Sequence, residues 1–338
     1  MNKVFVLIAV LLCLGGLAQA VVIDTVPVGD PGNAGELSGE SAGGWGPDRI
    51  CGSVGYSYNI GKYEVTAGQY TDFLNKVAAT DTYALYNTAM SRTDYGSGIT
   101  RGGASPSYTY SVATDFINRP VNYVSWGDSA RFANWLHNGQ PTGPQDASTT
   151  EDGAYYLNGA TTHAALMAVT RKAGWTWAMT SEDEWYKAAY YKGGGTSAGY
   201  WDYPTSSDTA PGRDMADASG NNANYYTGYG AYPIDNGKYT TVAGEFQNSD
   251  SPYGTFDQGG NVWEWNEALL YGTARGLRQG SFGSYDYNLQ ASLRGSAGPA
   301  GEDYSVGFRV SEVVPEPSSL MILAGGLVSL LGLKRRRV

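Results

Sequence analysis

The chain has 338 residues and a formal net charge of −10, with 16 % charged residues, 47 glycines and 27 tyrosines. This acidic balance disfavours nucleic acid and anionic lipid as partners, and it favours cations and neutral polymers. The scarcity of charge and the abundance of glycine and aromatic residues are typical of a loop-rich extracellular protein, and they exclude a disordered chain or a helical bundle.

The amino terminus predicts export. Residues 1–20 combine Lys3, an apolar run and the small-residue pattern Ala18-Gln-Ala20. These are the features of a secretory signal peptide with its cleavage site. Residues 21–55 then form a Gly-rich lead-in, which we expect to be extended.

A single domain is expected over residues 56–311. Val54 to Glu64 alternates apolar and polar positions, which predicts a half-buried strand. Thr66 is placed to cap a first helix, whose apolar residues recur at helical spacing. Residues 80–115 are rich in Tyr, Ser, Thr and Gly and predict a long loop or a hairpin region.

Two further helices are predicted before a long irregular stretch. Ser125, with Asp128 as its capping partner, begins the second helix, which ends at Gly139. Thr180 and Asp183 open a short third helix that runs through Tyr190. From there to residue 256 no periodicity is sustained, and loops of this length usually have a function or a metal to order them.

The most informative segment is Asp257-Gln-Gly-Gly-Asn-Val-Trp-Glu-Trp265. Its carboxylates can supply hard oxygen ligands, and its glycines allow backbone carbonyls to turn inward, as calcium requires. The alternative is a glycine turn that leads into a half-buried strand whose two tryptophans fill the core.

The carboxyl terminus predicts a sorting signal. Val314-Pro-Glu-Pro317 is followed by an apolar run from Ser318 to Leu333 and by Lys334-Arg-Arg-Arg337. An apolar helix of that length rises about 24 Å, slightly less than a bilayer core. We expect transient anchoring in the inner membrane with the basic cluster on the cytoplasmic side, and a permanent anchor is the alternative.

Cysteine usage limits the chemistry. The sequence has two cysteines, Cys13 and Cys51. The first lies in the predicted signal peptide, so the mature protein retains one thiol and forms no intramolecular disulfide.

Several motifs, taken in order, resemble those of the formylglycine-generating enzyme family (the sulfatase-modifying factor domain). They are Ile60-Gly-Lys-Tyr-Glu-Val-Thr66, residues 119–130, residues 180–189, Gly260-Asn-Val-Trp-Glu-Trp265, Arg278-Gln-Gly-Ser-Phe282 and Gly307-Phe-Arg309. The resemblance implies an α+β fold: a single irregular, loop-rich domain related to C-type lectins.

The tail resembles the PEP-CTERM sorting tag of Gram-negative bacteria, with Pro315, Glu316 and Pro317 as its motif. Such a tag implies cleavage by an exosortase and delivery to the cell surface or the extracellular matrix.

The family resemblance also implies two structural calcium sites. One set of ligands would be the side chains of Asp257 and Glu264 with the carbonyls of Gly260 and Val262. The second set would be the side chains of Asn224 and Asp235 with the carbonyls of Tyr225 and Gly237. Oxygen donors are present at all of these positions.

Copper is not expected. The family's oxidases hold copper between two cysteines, and the corresponding positions here are Ser284 and Leu289. Neither residue supplies the soft thiolate that Cu(I) needs. Iron ligation or a serine triad would have to use His137 or His163. His137 is better explained by the macrodipole at the end of a helix, and His163 by packing.

The remaining hypothesis is a binding groove retained without its metal. Ser281, Tyr285, Tyr287 and Arg309 are its candidate residues, and calcium would give structural order. We expect an exported, non-catalytic protein that binds exopolysaccharide or peptide, because aromatic rings stack on sugar faces. The alternative is a divergent enzyme, an oxidase or a hydrolase, that uses the same groove.

Overall fold

The structure is a computed structural model that describes residues 20–230 and 233–314. The predicted signal peptide, except for its last residue Ala20, lies outside these residues. The predicted sorting motif at Pro315, Glu316 and Pro317 also lies outside them. Within the described ranges, no helix has the length and apolar character that crossing a bilayer requires.

The described residues form short strands and four α-helices joined by long loops. In chain order the elements are β1 (Thr25–Val28), β2 (Glu36–Ser38), β3 (Arg49–Cys51), β4 (Tyr58–Gly61), α1 (Ala67–Val77), β5 (Ile99–Gly102), β6 (Thr109–Val112), α2 (Trp126–His137), α3 (His163–Met167), β7 (Trp177–Met179), α4 (Glu182–Tyr190), β8 (Trp263–Leu270), β9 (Ala274–Arg278), β10 (Gly295–Ala297), β11 (Val306–Phe308) and β12 (Val310–Val313).

Two four-stranded sheets organise these elements. The first has the order β1-β4-β12-β7 and is antiparallel throughout. The second has the order β10-β9-β8-β11, and its β8–β11 pair is parallel. Since β11 and β12 are consecutive in the chain but lie in different sheets, the residue between them, Arg309, is held at the junction of the two sheets.

Local sequence signals set the helix starts. Thr66 and Gln69 form a reciprocal capping box at α1, and Ser125 and Asp128 form another at α2. Both boxes satisfy backbone N–H groups that have no partner within the helix. The cap of α4 is Ser181 with Glu184, one residue beyond the predicted Thr180 and Asp183.

The main core lies between α1, α2 and the sheets. Phe73 of α1 packs edge-to-face against Phe132 of α2, with ring centroids 5.3 Å apart. Phe132 in turn contacts Phe308 of β11, which is fully buried. The apolar face predicted for α1 is therefore the face that enters the core.

The Gly-rich lead-in is integrated into the domain. Its strand β1 pairs with β4 along the register Thr25↔Gly61 to Val28↔Tyr58. Its strands β2 and β3 form a hairpin, and Cys51 at the end of β3 is fully buried. The domain boundary expected at residue 56 therefore does not separate two structural units.

Candidate functional site

The acid of the Trp-Glu-Trp motif lies in the core. Glu264 on β8 and Arg309 are both fully buried. Arg309 Nε lies 2.9 Å from Oε1 and 2.6 Å from Oε2 of Glu264, and the indole N–H of Trp185 donates to Oε2 at 2.6 Å. Arg309 therefore lies in a buried ion pair and not in a surface groove, where the sequence analysis had placed it.

Two carbonyls of the same motif are already hydrogen-bonded. Gln279 Nε2 donates to Gly260 O at 3.1 Å and also to Val262 O. Gln279 is 1 % exposed and has a φ of 85°, in the left-handed region. That backbone conformation costs a residue other than glycine about 1–2 kcal/mol. Gln279 was not predicted as a site residue, because neither its φ nor its distant partners leave a local signal in the sequence.

Asp257 and Glu64 are two further acidic side chains beside this ion pair. Asp257 Oδ2 accepts the Gly244 N–H at 2.6 Å, and burial raises the pKa of Asp257 to about 6. Glu64 is 2 % exposed, and its Oε2 has no hydrogen-bond partner. Burial, together with the nearby charge of Asp257, raises the pKa of Glu64 well above its usual value. Both carboxylates, like Glu264, interact with Arg309.

The second predicted set of calcium ligands has a different environment. Asn224 is 1 % exposed, and its Nδ2 donates to Tyr239 O at 2.8 Å. Its Oδ1 is buried without a hydrogen-bond partner. Asp235 carries the only charge in this set, is half-buried and pairs with the Arg119 guanidinium.

The two predicted calcium sites are neighbours. Asn261 N donates to Asn224 O at 2.8 Å, and a methyl group added at Gly260 would lie 2.1 Å from that same oxygen. Asn261 Oδ1 also accepts the Thr241 N–H at 3.0 Å. Glycine at position 260 therefore lets the motif loop pass directly against the Asn224 backbone.

The two sets differ in their suitability for calcium. The Asn224 set offers an amide oxygen, a carboxylate and two carbonyls, all hard donors, and its amide oxygen lacks a partner. The Asp257 set does not fit as well, because each of its four ligand residues accepts a hydrogen bond from the protein. In the Asn224 set, Asp235 also accepts from Arg119, but the Asn224 amide oxygen is unpaired. Over residues 20–230 and 233–314, no three His, Cys, Asp or Glu side chains are grouped as a metal centre. The Asn224 set contains one side chain of these types, Asp235, so it would not form a group of three even with calcium bound.

Ser284 and Leu289, the two positions at which the resemblance implies cysteines, lie close together. A methyl group added at Gly280 would lie 3.1 Å from Cβ of Ser284 and 3.2 Å from Cδ1 of Leu289. Leu289 is fully buried, and Ser284 Oγ accepts the N–H of the buried Ser281 at 3.0 Å. Cys51 is buried elsewhere, beside Arg278. The donor set at Ser284 and Leu289 is therefore unsuited to Cu(I).

The acids at the start of α4 are paired inside the protein. Glu182 accepts from Arg278 at 2.7 Å and from Arg294 at 2.7 Å, and these arginines hold its pKa at about 2 against the effect of burial. Glu184 is fully buried against Arg171 at 2.8 Å. These carboxylates stabilise the start of the helix and its packing, and neither is exposed as an acid–base group.

An open cleft of about 640 Å³ is lined in part by residues of β8, β9 and β10. We call it the aromatic cleft. Its lining residues are Gly43, Gly44, Trp45, Trp263, Leu277, Tyr287, Asn288, Gln290, Leu293, Gly295 and Ser296. Trp45 is 65 % exposed and Tyr287 is 54 % exposed.

Close backbone contacts fix the walls of the aromatic cleft. A methyl group added at Gly44 would lie 2.1 Å from Ser292 O, so only glycine allows this approach. The next residue, Trp45, accepts the Arg294 N–H at 2.8 Å through its carbonyl. On the other wall, Tyr287 stacks on the half-exposed Tyr285, with ring centroids 5.7 Å apart and an interplanar angle of 17°.

The structure therefore divides the predicted groove residues. Tyr285 and Tyr287 are exposed at the aromatic cleft or beside it, whereas Ser281 and Arg309 are buried. Trp45 and Trp263 were not predicted as cleft residues. The only local signal for Trp45 was a tryptophan flanked by glycines in the lead-in, in Gly43-Gly-Trp-Gly-Pro47.

Comparisons with known proteins identify the family of the folded domain and the type of its carboxyl-terminal tail. The model of the sulfatase-modifying factor enzyme 1-like domain matches residues 52–313, and the PEP-CTERM protein-sorting motif matches residues 313–337. The chain therefore belongs to the sulfatase-modifying factor (formylglycine-generating enzyme-like) family, with the expected α+β fold. It carries a tag that marks it as an exported protein sorted to the cell surface by exosortase-type machinery.

The chain is also similar to solved structures. Treponema denticola variable protein 1 is 16 % identical, with a TM-score of 0.49 over 86 % of this chain and 95 % of that one. CarF is 18 % identical, with a TM-score of 0.49 over 87 % of this chain and 99 % of that one. PvdO from Pseudomonas aeruginosa is 19 % identical, with a TM-score of 0.44 over 86 % of this chain and 92 % of that one. No curated protein matches the chain.

Proposed function

We propose that this protein is a non-catalytic binding protein whose aromatic cleft holds a neutral polysaccharide. The observation that carries the proposal is the composition of the cleft. Two exposed aromatic rings, Trp45 and Tyr287, face a lining that contains no Asp, Glu, Lys, Arg or His among the residues that the structure describes.

The chemistry of such a lining suits sugars. Aromatic faces pack on the apolar C–H faces of a sugar ring, and the amides of Asn288 and Gln290 and the hydroxyl of Ser296 can bond its hydroxyl groups. A neutral ligand is favoured over a charged peptide, because no lining side chain neutralises an ammonium or a carboxylate that would lose its water.

A binding role also agrees with the absence, from the described residues of this region, of the groups that hydrolysis or copper-dependent oxidation would require. Hydrolysis of a glycosidic bond needs two carboxyl groups beside the scissile bond, and the described lining of the cleft has none. Oxidation of a thiol through copper needs thiolates, and Ser284 and Leu289 supply none.

Structural calcium is part of the proposal. Asn224 and Asp235 would hold one ion through their side chains, together with the carbonyls of Tyr225 and Gly237. Calcium bound there would take up the buried Asn224 oxygen that has no partner and would order the loop that contains Asp235. Export agrees with this role, and we propose the exopolysaccharide matrix of a Gram-negative bacterium as the place of action.

Binding to immobilised neutral glucan and galactan oligosaccharides tests the proposed ligand class, with uronic acid oligosaccharides as the charged comparison. We expect measurable affinity for a neutral oligosaccharide, and we expect Trp45→Ala and Tyr287→Ala each to weaken it at least tenfold, about 1.4 kcal/mol. Tyr156→Ala is the matched control, because Tyr156 is 59 % exposed on another surface. Equal affinity in Trp45→Ala, Tyr287→Ala and the wild type would remove the cleft from the proposal.

A further inference from the structure

The side chain of Gln279 lies at a place that the family resemblance assigns to a cation. The resemblance directs the carbonyls of Gly260 and Val262 at calcium. In this chain both carbonyls accept hydrogen bonds from the single nitrogen Gln279 Nε2, at 3.1 Å for Gly260. An amide NH₂ group carries two N–H donors, one for each carbonyl.

We propose that the Gln279 side-chain amide replaces the calcium ion at the Asp257–Glu264 site, so that the chain binds one calcium fewer than the family resemblance implies. The other donors of that set are also taken by the protein. Glu264 receives both Nε and Nη2 of Arg309, and Asp257 receives the Gly244 N–H. An amide that donates to two carbonyls does with partial charges what a cation does with its full charge.

The backbone at Gln279 supports this replacement. A φ of 85° favours glycine, yet the position holds a glutamine that is 1 % exposed. The two hydrogen bonds from its amide offset the unfavourable backbone, and a shorter or apolar side chain would not make them. The opposite amide orientation would direct Gln279 Oε1 at two carbonyl oxygens, which only a cation between them would allow. The two arrangements are therefore distinguishable by experiment.

The surroundings of Gln279 would accept calcium once the amide is removed. Glu64, Asp257 and Glu264 all interact with Arg309, so three acidic side chains surround one guanidinium in this cluster. A glycine at position 279 would free both carbonyls next to these carboxylates and would favour the existing φ. Hard oxygen donors of this kind are those that calcium binds.

Calcium titration of chelator-stripped protein by isothermal titration calorimetry tests the proposal. We expect Gln279→Gly to bind one calcium more per chain than the wild type. We also expect its melting temperature to be lower than that of the wild type in chelator and to recover when millimolar calcium is added. Equal stoichiometry in the two proteins would overturn the proposal, whatever the absolute number.

Gln140→Gly is the matched control. Gln140 also has a positive φ, 61°, and its side chain bonds both the N–H and the carbonyl of Val21, at 2.7 Å each. Its replacement removes two hydrogen bonds and relieves the same kind of backbone strain away from the site. We expect its calcium stoichiometry to equal that of the wild type. A gain of one calcium in Gln140→Gly would contradict a local role for Gln279.

A measurement on the wild type makes the test independent of the folding of any variant. Crystals of the full chain grown in millimolar calcium would be examined for anomalous scattering. We expect no peak within 3 Å of both Gly260 O and Val262 O, a separation set by the 2.3–2.6 Å range of calcium–oxygen distances. A peak there would overturn the proposal.

Discussion

The two predicted calcium sites of this domain lie side by side, but they differ in the hydrogen bonding of their own side-chain ligand oxygens. At the Asp257–Glu264 site, the protein supplies its own donors, Gln279 and Arg309, to the oxygens that a cation would bind. At the Asn224–Asp235 site, a buried amide oxygen is left without a partner. A buried acceptor without a partner costs about 1–3 kcal/mol.

The presence of oxygen ligands in a sequence does not fix whether a metal binds. Both sets contain suitable donors, so they are equivalent on paper. The difference arises from Gln279, which belongs to neither set and reaches the first from the start of another loop.

Glu264→Gln should give the largest loss. It leaves the Arg309 guanidinium buried with no opposing carboxylate in direct contact, so we expect the free energy of unfolding to fall by about 3–5 kcal/mol. Because the ion pair belongs to the protein alone, urea denaturation should show the same loss in calcium and in chelator. Glu312→Gln, which alters a partly buried hydrogen bond to Asn59, should cost about 1 kcal/mol or less. A loss seen only in calcium would show that Glu264 is a ligand after all.

Calcium removal should act through Asn224. We expect millimolar calcium to raise the melting temperature of the wild type, since a ligand at a hundred times its Kd stabilises the folded state by about 2.7 kcal/mol. Asn224→Ala should abolish most of that rise. Asn222→Ala is the control, because Asn222 is also buried but its amide oxygen accepts the Asp214 N–H at 3.0 Å. An undiminished rise in Asn224→Ala would exclude this site.

Asp257→Asn should have the smallest effect. The substitution removes one of the carboxylates that compete for Arg309 and keeps an oxygen that can accept the Gly244 N–H. We expect the free energy of unfolding in chelator to stay the same or to rise by up to about 1 kcal/mol, the scale of one hydrogen bond. The calcium-dependent rise in melting temperature should be unaffected, and its loss in differential scanning calorimetry would place a cation beside Asp257.

Much of the fold could be predicted because its signals are local. The capping residues Thr66 and Ser125 act on backbone groups three residues away, so their helices are evident in the sequence. The third predicted helix was displaced by one residue, because Thr180 and Ser181 are chemically similar caps. The short helix α3 (His163–Met167) and the pairing of β1 with β4 were not predicted, because tertiary packing stabilises both.

The candidate site was predictable only in part. Exposure of Tyr285 and Tyr287 agrees with a surface role, but burial of Ser281 and Arg309 moves them into the core. The partner that completes the aromatic cleft, Trp45, comes from the lead-in, far away in the sequence. Its position depends on Gly44 packing against Ser292, a contact that no sequence periodicity encodes.

By itself, the sequence determined the family and the sorting signal, and it placed Ser284 and Leu289 where the resemblance implies cysteines, because each of these depends on residue identity at particular positions. Tertiary structure decided which oxygens are still available to a cation. Gln279 reaches carbonyls 17 and 19 residues earlier in the chain, and Arg309 reaches a carboxylate 45 residues away. Contacts at such separations depend on how the loops meet, so only the folded chain shows that the ligand residues of one set accept hydrogen bonds from the protein and that Asn224 in the other set has an unpaired amide oxygen.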